Sequence, residues 1–401
     1  MNLRDVVILN GSRTPWAEYA GTRGFGRLRD VSAIDLAAAA ARGAMERSKV
    51  DPAWIDQVVI GNVMQTSADA VYGARHVGLK AGCRVEVPAL TVNRLCGSGL
   101  EAGRLGAQWL AAGESEFVLA GGMESMSQAP YVLRGARGRG LPLGGAPVLE
   151  DSLFQALRDT FCGLMMAQTA EKLAAQYGIP RAAQDEYALR SHRQGIRAVQ
   201  EGIFNAEIVP VTAPGPKGPA VVDADDHLKP DTTLEALAAL KPSFGPTGTV
   251  TAGNASGIVD GAACVVMTTA ARAKERGLAP LGRWVASAAV GVPPDLMGIG
   301  PAPAIREALR RAVLGLDAVD LFEINEAFAG QYLAVEKELG LDRAKVNVNG
   351  GSIALGHPLG ATGTRLLLTL LLELRRRKMR IGVASACIGG GQGIAAVVEA
   401  L

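Results

Sequence analysis

The sequence has few aromatic residues, few cysteines and histidines, and almost no net charge. Only 4% of its 401 residues are Phe, Trp or Tyr, and 41 Lys and Arg against 39 Asp and Glu leave a formal charge of +2. A surface that follows nucleic-acid phosphates needs a larger basic surplus, so we expect no nucleic-acid partner. Five scattered cysteines without a C-x-x-C pair predict reduced thiols, and four histidines lack metal-ligand spacing. We therefore expect a cytoplasmic protein without a structural metal.

Long hydrophobic runs are also absent. The longest apolar stretch, 366–374, contains Thr369 and Glu373 and is far shorter than the ~20 residues of a membrane-spanning helix. The N-terminus lacks the apolar core and cleavage site of a signal peptide. We expect no membrane association. Hydrophobic residues nevertheless make up 48% of the chain, which is enough for two or three compact units of roughly 150 residues each.

Apolar strands alternate with alanine-rich helical patterns at both ends of the chain. The N-terminal series is a strand, a helix and a strand, at Val6–Leu9, Ser32–Arg47 and Gln57–Ile60. The C-terminal series has the same order, at Trp284–Val290, Pro303–Leu314 and Leu321–Ile324. This order predicts an α/β fold with a mostly parallel sheet covered by helices.

The two ends also resemble each other in detail. Asn62 precedes Cys96 by 34 residues and Asn325 precedes His357 by 32, and a helix and a strand follow in each case. A chance match between two Gly/Ala-rich units is the alternative, but the matched order and spacing favour duplication. Residues 127–250 break the pattern with two turn-rich stretches, 134–147 and 209–219. We interpret them as an insertion carried by the first half.

Four polar residues stand where strands end or helices begin. Cys96 lies in "NRLCGSG" before a helix, where free N–H groups and the helix dipole would lower its pKa. The alternative, a buried core cysteine, is disfavoured by the glycines at 97 and 99, which would let another group approach the backbone closely. No G-x-G-x-x-G fingerprint is present. His357 and Cys387 lie in or beside glycine-rich loops, and Asn325 ends another strand. In α/β folds such strand ends form sites.

Several long motifs resemble the thiolase family over the whole chain. They are "NRLCGSG", "GGMESMSQAPY", "TVTAGNASGIVDGA", "NEAFAGQYLAVE", "NVNGGSIALGHPLGATG" and "ACIGGGQGIA". The resemblance, nearest to mitochondrial-type 3-ketoacyl-CoA thiolases, implies a five-layered αβαβα fold made of two duplicated halves. The implied division is 1–126 with 257–279 as the first half, 127–256 as an inserted loop domain, and 280–401 as the second half.

The resemblance also implies roles for individual residues. Cys96 matches the acyl-accepting nucleophile, His357 the histidine that activates it, and Cys387 the cysteine that moves the proton on the acetyl carbon. Asn325 matches the asparagine that holds a water in one oxyanion hole. A second oxyanion hole would use the backbone N–H groups of Cys96 and Gly389.

Substrate contacts follow from the same resemblance. Ser256 matches a serine beside the pantetheine arm of CoA, and Lys229 a basic residue beside its adenosine end. Met165 and Phe328 would line the substrate pocket. Short-chain family members typically carry a histidine at the place of Met165. An adaptable apolar side chain there favours broader 3-ketoacyl-CoA acceptance, including medium chains.

The implied activity is thiolytic cleavage of 3-ketoacyl-CoA, as in fatty acid β-oxidation, and the reverse condensation of two acetyl-CoA molecules. CoA is a substrate, and no metal or redox cofactor is required. Three alternatives stay open: a strictly short-chain acetoacetyl-CoA thiolase, a condensing synthase acting on carrier-bound malonyl units, and an inactive CoA- or lipid-binding relative. The resemblance further implies a homodimer or a homotetramer, the latter assembled through a hairpin at 126–140.

Overall fold

The computed structural model describes residues 5–21, 24–140, 143–144, 146–215 and 218–401. Parts of the two turn-rich stretches predicted at 134–147 and 209–219 lie outside these residues. The strands are β1 (Val6–Arg13), β2 (Ala17–Glu18), β3 (Ala20–Gly21), β4 (Gly24–Phe25), β5 (Gln57–Gly61), β6 (Ala89–Val92), β7 (Phe117–Glu124), β8 (Tyr131–Leu133), β9 (Leu149–Asp151), β10 (Val211–Ala213), β11 (Ala220–Val222), β12 (Val259–Thr269), β13 (Gly282–Gly291), β14 (Leu321–Ile324), β15 (Ile381–Ile388) and β16 (Gln392–Ala400).

The helices carry the alanine-rich and leucine-rich patterns of the sequence. They are α1 (Ala33–Ser48), α2 (Gly73–Lys80), α3 (Ser98–Ala112), α4 (Ala136–Arg139), α5 (Ser152–Ala156), α6 (Met166–Gln176), α7 (Arg181–Gln200), α8 (Leu234–Ala238), α9 (Ala270–Glu275), α10 (Pro301–Ala312), α11 (Ala329–Leu339), α12 (Ser352–Leu355) and α13 (Leu359–Arg377). Among the described residues, no helix is both long and apolar enough to cross a bilayer.

One large sheet runs through the molecule in the order β14-β15-β16-β13-β1-β12-β7-β5-β6, with β2 beside β12. The order β1-β12-β7-β5 in the first half corresponds to β13-β16-β15-β14 in the second. In both halves the first two pairings are antiparallel and the last is parallel. The halves join where β1 pairs with β13 at Val7↔Arg283 and Ile8↔Gly282. This matching topology agrees with the predicted duplication.

The expectation of a mostly parallel sheet is wrong. Among the strands of the described residues, only the β5–β6, β5–β7 and β14–β15 pairs are parallel. The β15 and β16 strands instead form a hairpin, and the chain passes its turn through Gly390 and Gly391, both with positive φ. The β12 strand returns antiparallel to β7 after the long inserted segment. Such antiparallel returns need no crossover helix, which is why helix–strand alternation alone did not predict them.

Three apolar cores hold the five layers together. Helices α1 and α2 cover the outer face of the first half, and α10 and α11 cover that of the second. Between the halves, α3 and α13 pack together in a core that also takes side chains from β1, β15 and β16. The helices α6 and α7 of the inserted segment pack against α11 and α12. The predicted hairpin at 126–140 is longer than expected, because β8 pairs with β9.

Candidate active site

Cys96 lies in a tight turn between β6 and α3. Leu95 has a φ of 46°, in the left-handed region that residues other than glycine rarely adopt. Ser98 holds this turn, because its hydroxyl donates to the Leu95 carbonyl at 2.7 Å and accepts from the Arg94 N–H at 2.9 Å. The turn therefore fixes the position of the Cys96 thiol at the start of α3.

The two glycines that follow Cys96 allow the second half of the molecule to pack closely against this turn. A β-carbon on Gly97 would lie 2.5 Å from Ile388 Cδ1, and one on Gly99 would lie 2.6 Å from the backbone nitrogen of Thr364. Neither position has room for a side chain. The sequence interpretation of these glycines as points of close approach is confirmed.

The pKa of the Cys96 thiol is raised, and the expectation of a lowered value is wrong. Burial raises it to about 11, the N–H of Gly389 that donates to the sulfur lowers it, and the charge of Glu124 raises it further. The free enzyme therefore holds a neutral thiol at neutral pH. A base must take its proton before or during nucleophilic attack.

His357 is the candidate base for this thiol. It lies between α12 and α13, is buried, and its backbone N–H donates to the Gly257 carbonyl at 2.9 Å. Burial, together with the charge of Arg365, lowers the pKa of His357 to about 3, so the imidazole is neutral. Leu359, two residues further on, lies in the apolar cluster that Cys96 packs against.

A chain of hydrogen bonds orients the imidazole. Thr362 Oγ1 donates to the Pro358 carbonyl at 3.0 Å and lies 2.7 Å from His357 Nδ1, which therefore carries the proton. On the other side of the ring, Asn325 Nδ2 lies 3.3 Å from His357 Nε2. Ser352 Oγ donates to Asn325 Oδ1 at 2.6 Å and so fixes the amide orientation. The result is an unprotonated Nε2 atom that faces the Asn325 amide and can act as a base.

Cys387 and Asn325 lie at adjacent strand ends. The β14–β15 pair is parallel, with Ile324 opposite Ser385, and the Asn325 N–H donates to the Ser385 carbonyl at 2.9 Å. Burial and the neighbouring Cys96 raise the pKa of Cys387 far above its usual range. The predicted residues Cys96, His357, Cys387, Asn325 and Gly389 are thus brought together at one place.

Ser256 and Phe328 lie on the edge of this site. The Ser256 N–H donates to the Ala327 carbonyl at 3.0 Å, and Ala255 forms a bridge with Phe328. Met165 is buried just before α6, and its role in the substrate pocket stays a prediction. Its neighbour Met166, which the sequence did not single out, packs like Phe328 against the cluster of Cys387, Met297 and Ala327.

Lys229 lies on a cleft of about 1060 Å³ that is also lined by Gly253, three residues before Ser256. Lys229 Nζ and His227 Nδ1 both lie 2.6 Å from Glu18 Oε1. Burial opposes ionisation of Glu18, but these two hydrogen bonds lower its pKa. The His227 ring covers Gly257, where a β-carbon would lie 2.4 Å from the ring. The cleft therefore carries both cationic and carboxylate side chains, and His227 on its wall lies against Gly257, whose carbonyl accepts from the His357 N–H.

Two further residues of the region were not found from the sequence. Arg27 lines the same cleft as Lys229, but it lies about two hundred residues earlier in the chain. Glu124 is fully buried at the end of β7 beside Cys96, and a lone glutamate closing an apolar strand was the available signal. Within the described ranges, no group of three or more His, Cys, Asp or Glu residues could hold a metal ion.

Comparisons with known proteins agree with this geometry. The family model "Thiolase, N-terminal domain" matches residues 6–271, and "Thiolase, C-terminal domain" matches residues 278–400. The chain is 49% identical to the mitochondrial 3-ketoacyl-CoA thiolase of Homo sapiens over 397 residues, which are 99% of this chain and 98% of the relative. It is 47% identical to the acetyl-CoA acetyltransferase of Escherichia coli strain K12 over 399 residues, covering 100% of both.

A solved structure gives the same result for the fold. The crystal structure of human mitochondrial 3-ketoacyl-CoA thiolase in complex with CoA superposes with a TM-score of 0.95 and 49% identity, covering 100% of this chain and 98% of that chain. The matches in sequence and structure extend over both halves and the inserted segment. This chain belongs to the thiolase family.

Proposed function

We propose that this enzyme is an acyltransferase that cleaves 3-ketoacyl-CoA with CoA and catalyses the reverse condensation of two acetyl-CoA molecules. The observation that carries the proposal is the hydrogen-bond chain from Ser352 through Asn325 and His357 to Thr362, which leaves Nε2 of His357 as a base. Beside it lie two thiols of different surroundings, Cys96 and Cys387. The named activities of the human and bacterial relatives support the same reaction.

In the first half-reaction, His357 Nε2 takes the proton of Cys96 as the sulfur attacks the 3-keto carbon. A prior ion pair is unfavourable, because burial raises the thiol pKa and lowers that of the imidazole. The N–H groups of Cys96 and Gly389 would stabilise the resulting oxyanion. The C2–C3 bond then breaks, and Cys387 gives its proton to C2 of the departing acetyl-CoA enolate, which the imidazolium and Asn325 stabilise.

In the second half-reaction, CoA releases the shortened acyl group. The Cys387 thiolate takes the proton of the incoming CoA thiol, and the CoA sulfur attacks the acyl carbon on Cys96. The Cys96 thiolate leaves and takes the proton back from His357, which restores the starting enzyme. Every proton is accounted for by these three side chains, so the cycle requires neither a metal nor a redox cofactor.

The cleft lined by Lys229 is the proposed CoA site. Lys229, Arg27 and His227 line it and suit phosphate groups, although Glu18, Asp226 and Asp231 line it too and Glu18 already pairs with Lys229. Gly253 also lines the cleft, and we propose that Ser256, three residues further on, contacts the pantetheine arm of CoA. The human relative has been crystallised with CoA, which supports a CoA site in a chain of the same fold. We propose that Met165 and Phe328 contact the substrate and that Met165 permits chains longer than four carbons.

Assembly and location are part of the same proposal. We propose a homodimer, or a homotetramer that associates through the β8–β9 hairpin, where Tyr131 is 67% exposed. We place the protein in the cytoplasm, because all five cysteines are free and a reducing compartment keeps them so. The name of the human relative contains "mitochondrial", and imaging of the tagged chain in its native host distinguishes the two locations.

The test of the activity is a cleavage assay with acetoacetyl-CoA and CoA. We expect loss of acetoacetyl-CoA that depends on added CoA, that is unchanged by EDTA, and that Cys96→Ala abolishes. An inactive CoA-binding relative would bind CoA without consuming acetoacetyl-CoA. A synthase for carrier-bound malonyl units would condense those units instead, and either result would reject the thiolase assignment.

A further inference from the structure

Glu124 is a buried carboxylate to which the reaction sequence above gives no role. It closes β7 with no exposed surface, and four N–H groups donate to it. Oε1 accepts from the Met64 backbone at 2.9 Å and from Asn62 Nδ2 at 3.1 Å. Oε2 accepts from the backbone of Gly360 at 2.9 Å and of Val63 at 3.2 Å. A carboxylate satisfied by four donors is a strong and specific anchor.

The donors belong to the two halves of the molecule. The Asn62–Met64 loop follows β5 in the first half, whereas Gly360 lies in the second half, three residues after His357. Both segments touch the nucleophile, because Val63, Met64 and Leu359 pack in one apolar cluster with Cys96. A single side chain therefore holds the loop beside the thiol and the loop that carries its base.

Because Glu124 bonds both loops, we propose that it is a positioning residue that keeps the Cys96 and His357 loops in catalytic register. This inference rests on the proposed thiolase function. Mutual placement of nucleophile and base strongly affects the rate of acyl transfer, since a misplacement of about 1 Å can cost roughly a hundredfold.

The charge of Glu124 has a second, measurable consequence. Burial raises the pKa of Glu124 to about 7, the N–H groups of Met64, Gly360 and Val63 lower it, and Asp260 on β12 raises it. The carboxylate in turn raises the pKa of Cys96. Cys387 on β15 is a second titratable group that interacts with the thiol, and His357 lies two residues before Leu359 of the apolar cluster that Cys96 packs against. Removing the charge of Glu124 should therefore make Cys96 ionise at lower pH.

The Glu124→Gln variant distinguishes a positioning role of Glu124 from a role in packing alone. The amide keeps one acceptor oxygen but directs an NH₂ group at two of the N–H donors, which separates the loops. Acetylation of Cys96 by acetyl-CoA should slow roughly tenfold to a hundredfold. Alkylation of Cys96 by iodoacetamide, followed by peptide mass spectrometry across pH, should shift to lower pH. A thiol that is more reactive towards a small reagent and yet slower in acyl transfer is the signature of lost positioning.

Asp260→Asn is the matched control. Asp260 is also fully buried, lies on the strand beside Glu124, and has its partners at Met126 and Ser127. It should lose thermal stability like Glu124→Gln but keep the acetylation rate and the alkylation profile of the wild type. If Glu124→Gln does not fold, Glu124→Asp keeps the charge on a shorter arm. It should then slow acetylation while leaving the alkylation profile near that of the wild type.

Two results would overturn the positioning role. One is that Glu124→Gln is acetylated at the wild-type rate or, if that variant does not fold, that Glu124→Asp is. The other is an equal loss of acetylation in Asp260→Asn. A wild-type protein that neither accepts an acetyl group nor cleaves acetoacetyl-CoA would instead reject the proposed function, a result that is independent of the comparison between variants.

Discussion

Single residues set the chemistry of this site through what surrounds them. His357 is an ordinary histidine held neutral by burial and turned by Asn325 and Thr362. Burial raises the pKa of the Cys96 thiol, and the position of Cys96 before helix α3 does not offset this effect. In the proposed mechanism, both facts favour proton transfer that accompanies nucleophilic attack. Two predictions about substrate recognition also concern single residues, Lys229 and Met165.

Lys229 tests the proposed CoA cleft. Lys229→Ala should raise the KM for CoA severalfold, because a half-exposed ionic contact contributes about 1 kcal/mol. The rate of Cys96 acetylation at saturating acetyl-CoA should hardly change. Lys241→Ala, which removes an exposed lysine that does not line the cleft, should leave the KM as it is. An unchanged KM in Lys229→Ala would remove this residue from the CoA site.

Met165 tests chain-length preference. The wild type should show comparable kcat/KM for acetoacetyl-CoA and 3-ketooctanoyl-CoA, because methionine adapts to different apolar ligands. Met165→His should lower the value for the longer substrate about tenfold relative to the shorter, a normal effect of one pocket side chain. Met165→Leu should behave like the wild type. Wild-type activity confined to acetoacetyl-CoA would contradict the prediction.

At the scale of elements, the crossing of α3 and α13 determines whether the two catalytic loops meet. Gly99→Ala should destabilise the protein by roughly 1–3 kcal/mol, because its β-carbon would lie 2.6 Å from the Thr364 nitrogen. Urea unfolding measures the change. Gly138→Ala in α4, where nothing lies within 4 Å of the added carbon, should be neutral or slightly stabilising. Equal unfolding midpoints for the two variants would contradict this packing.

Helices and strands were predictable from the sequence where the local pattern of apolar and capping residues determines them. Helix α1 begins after Ser32, whose side chain accepts from the Asp35 N–H as an N-cap, and β14 has the predicted bounds. Strand direction was not predictable from that pattern, as the β15–β16 hairpin shows. The candidate site followed from strand ends and the family motifs. Arg27 was not found because its place in the cleft depends on contacts between distant segments, which no local pattern encodes. Glu124 does stand out as the charged residue that closes an apolar strand, but the loops that it joins are not visible in that pattern.

At the scale of the whole molecule, duplication explains why one site draws on both halves. The domain boundaries at residues 126, 256 and 279 stay a prediction. The helices of the inserted segment pack on the second half of the molecule. Limited proteolysis followed by mass spectrometry would locate the exposed boundaries. The large sheet ends at β6, whose outer edge is unpaired within the described chain and carries Leu90 at 42% exposure.

Assembly is the prediction that belongs to this scale. Light scattering should give two or four times the chain mass of 41.5 kDa. If the protein is a tetramer, Tyr131→Glu on β8 should reduce it to a dimer, because a charge is costly in a small apolar contact. Val221→Glu, an equally exposed apolar position on β11, should not change the mass. A wild-type monomer would contradict the proposed assembly.

The central claim is that Cys96 holds the acyl group while Cys387 moves a proton, and intact-protein mass spectrometry tests it most directly. After incubation with acetyl-CoA, the wild type and Cys387→Ser should gain about 42 Da, and Cys96→Ala should gain nothing. Cys387→Ser should nevertheless lose C–C bond cleavage by roughly 10²–10⁴-fold, since a hydroxyl is too weak an acid to replace the thiol. Peptide mapping that places the acetyl group on Cys387 would contradict both assignments.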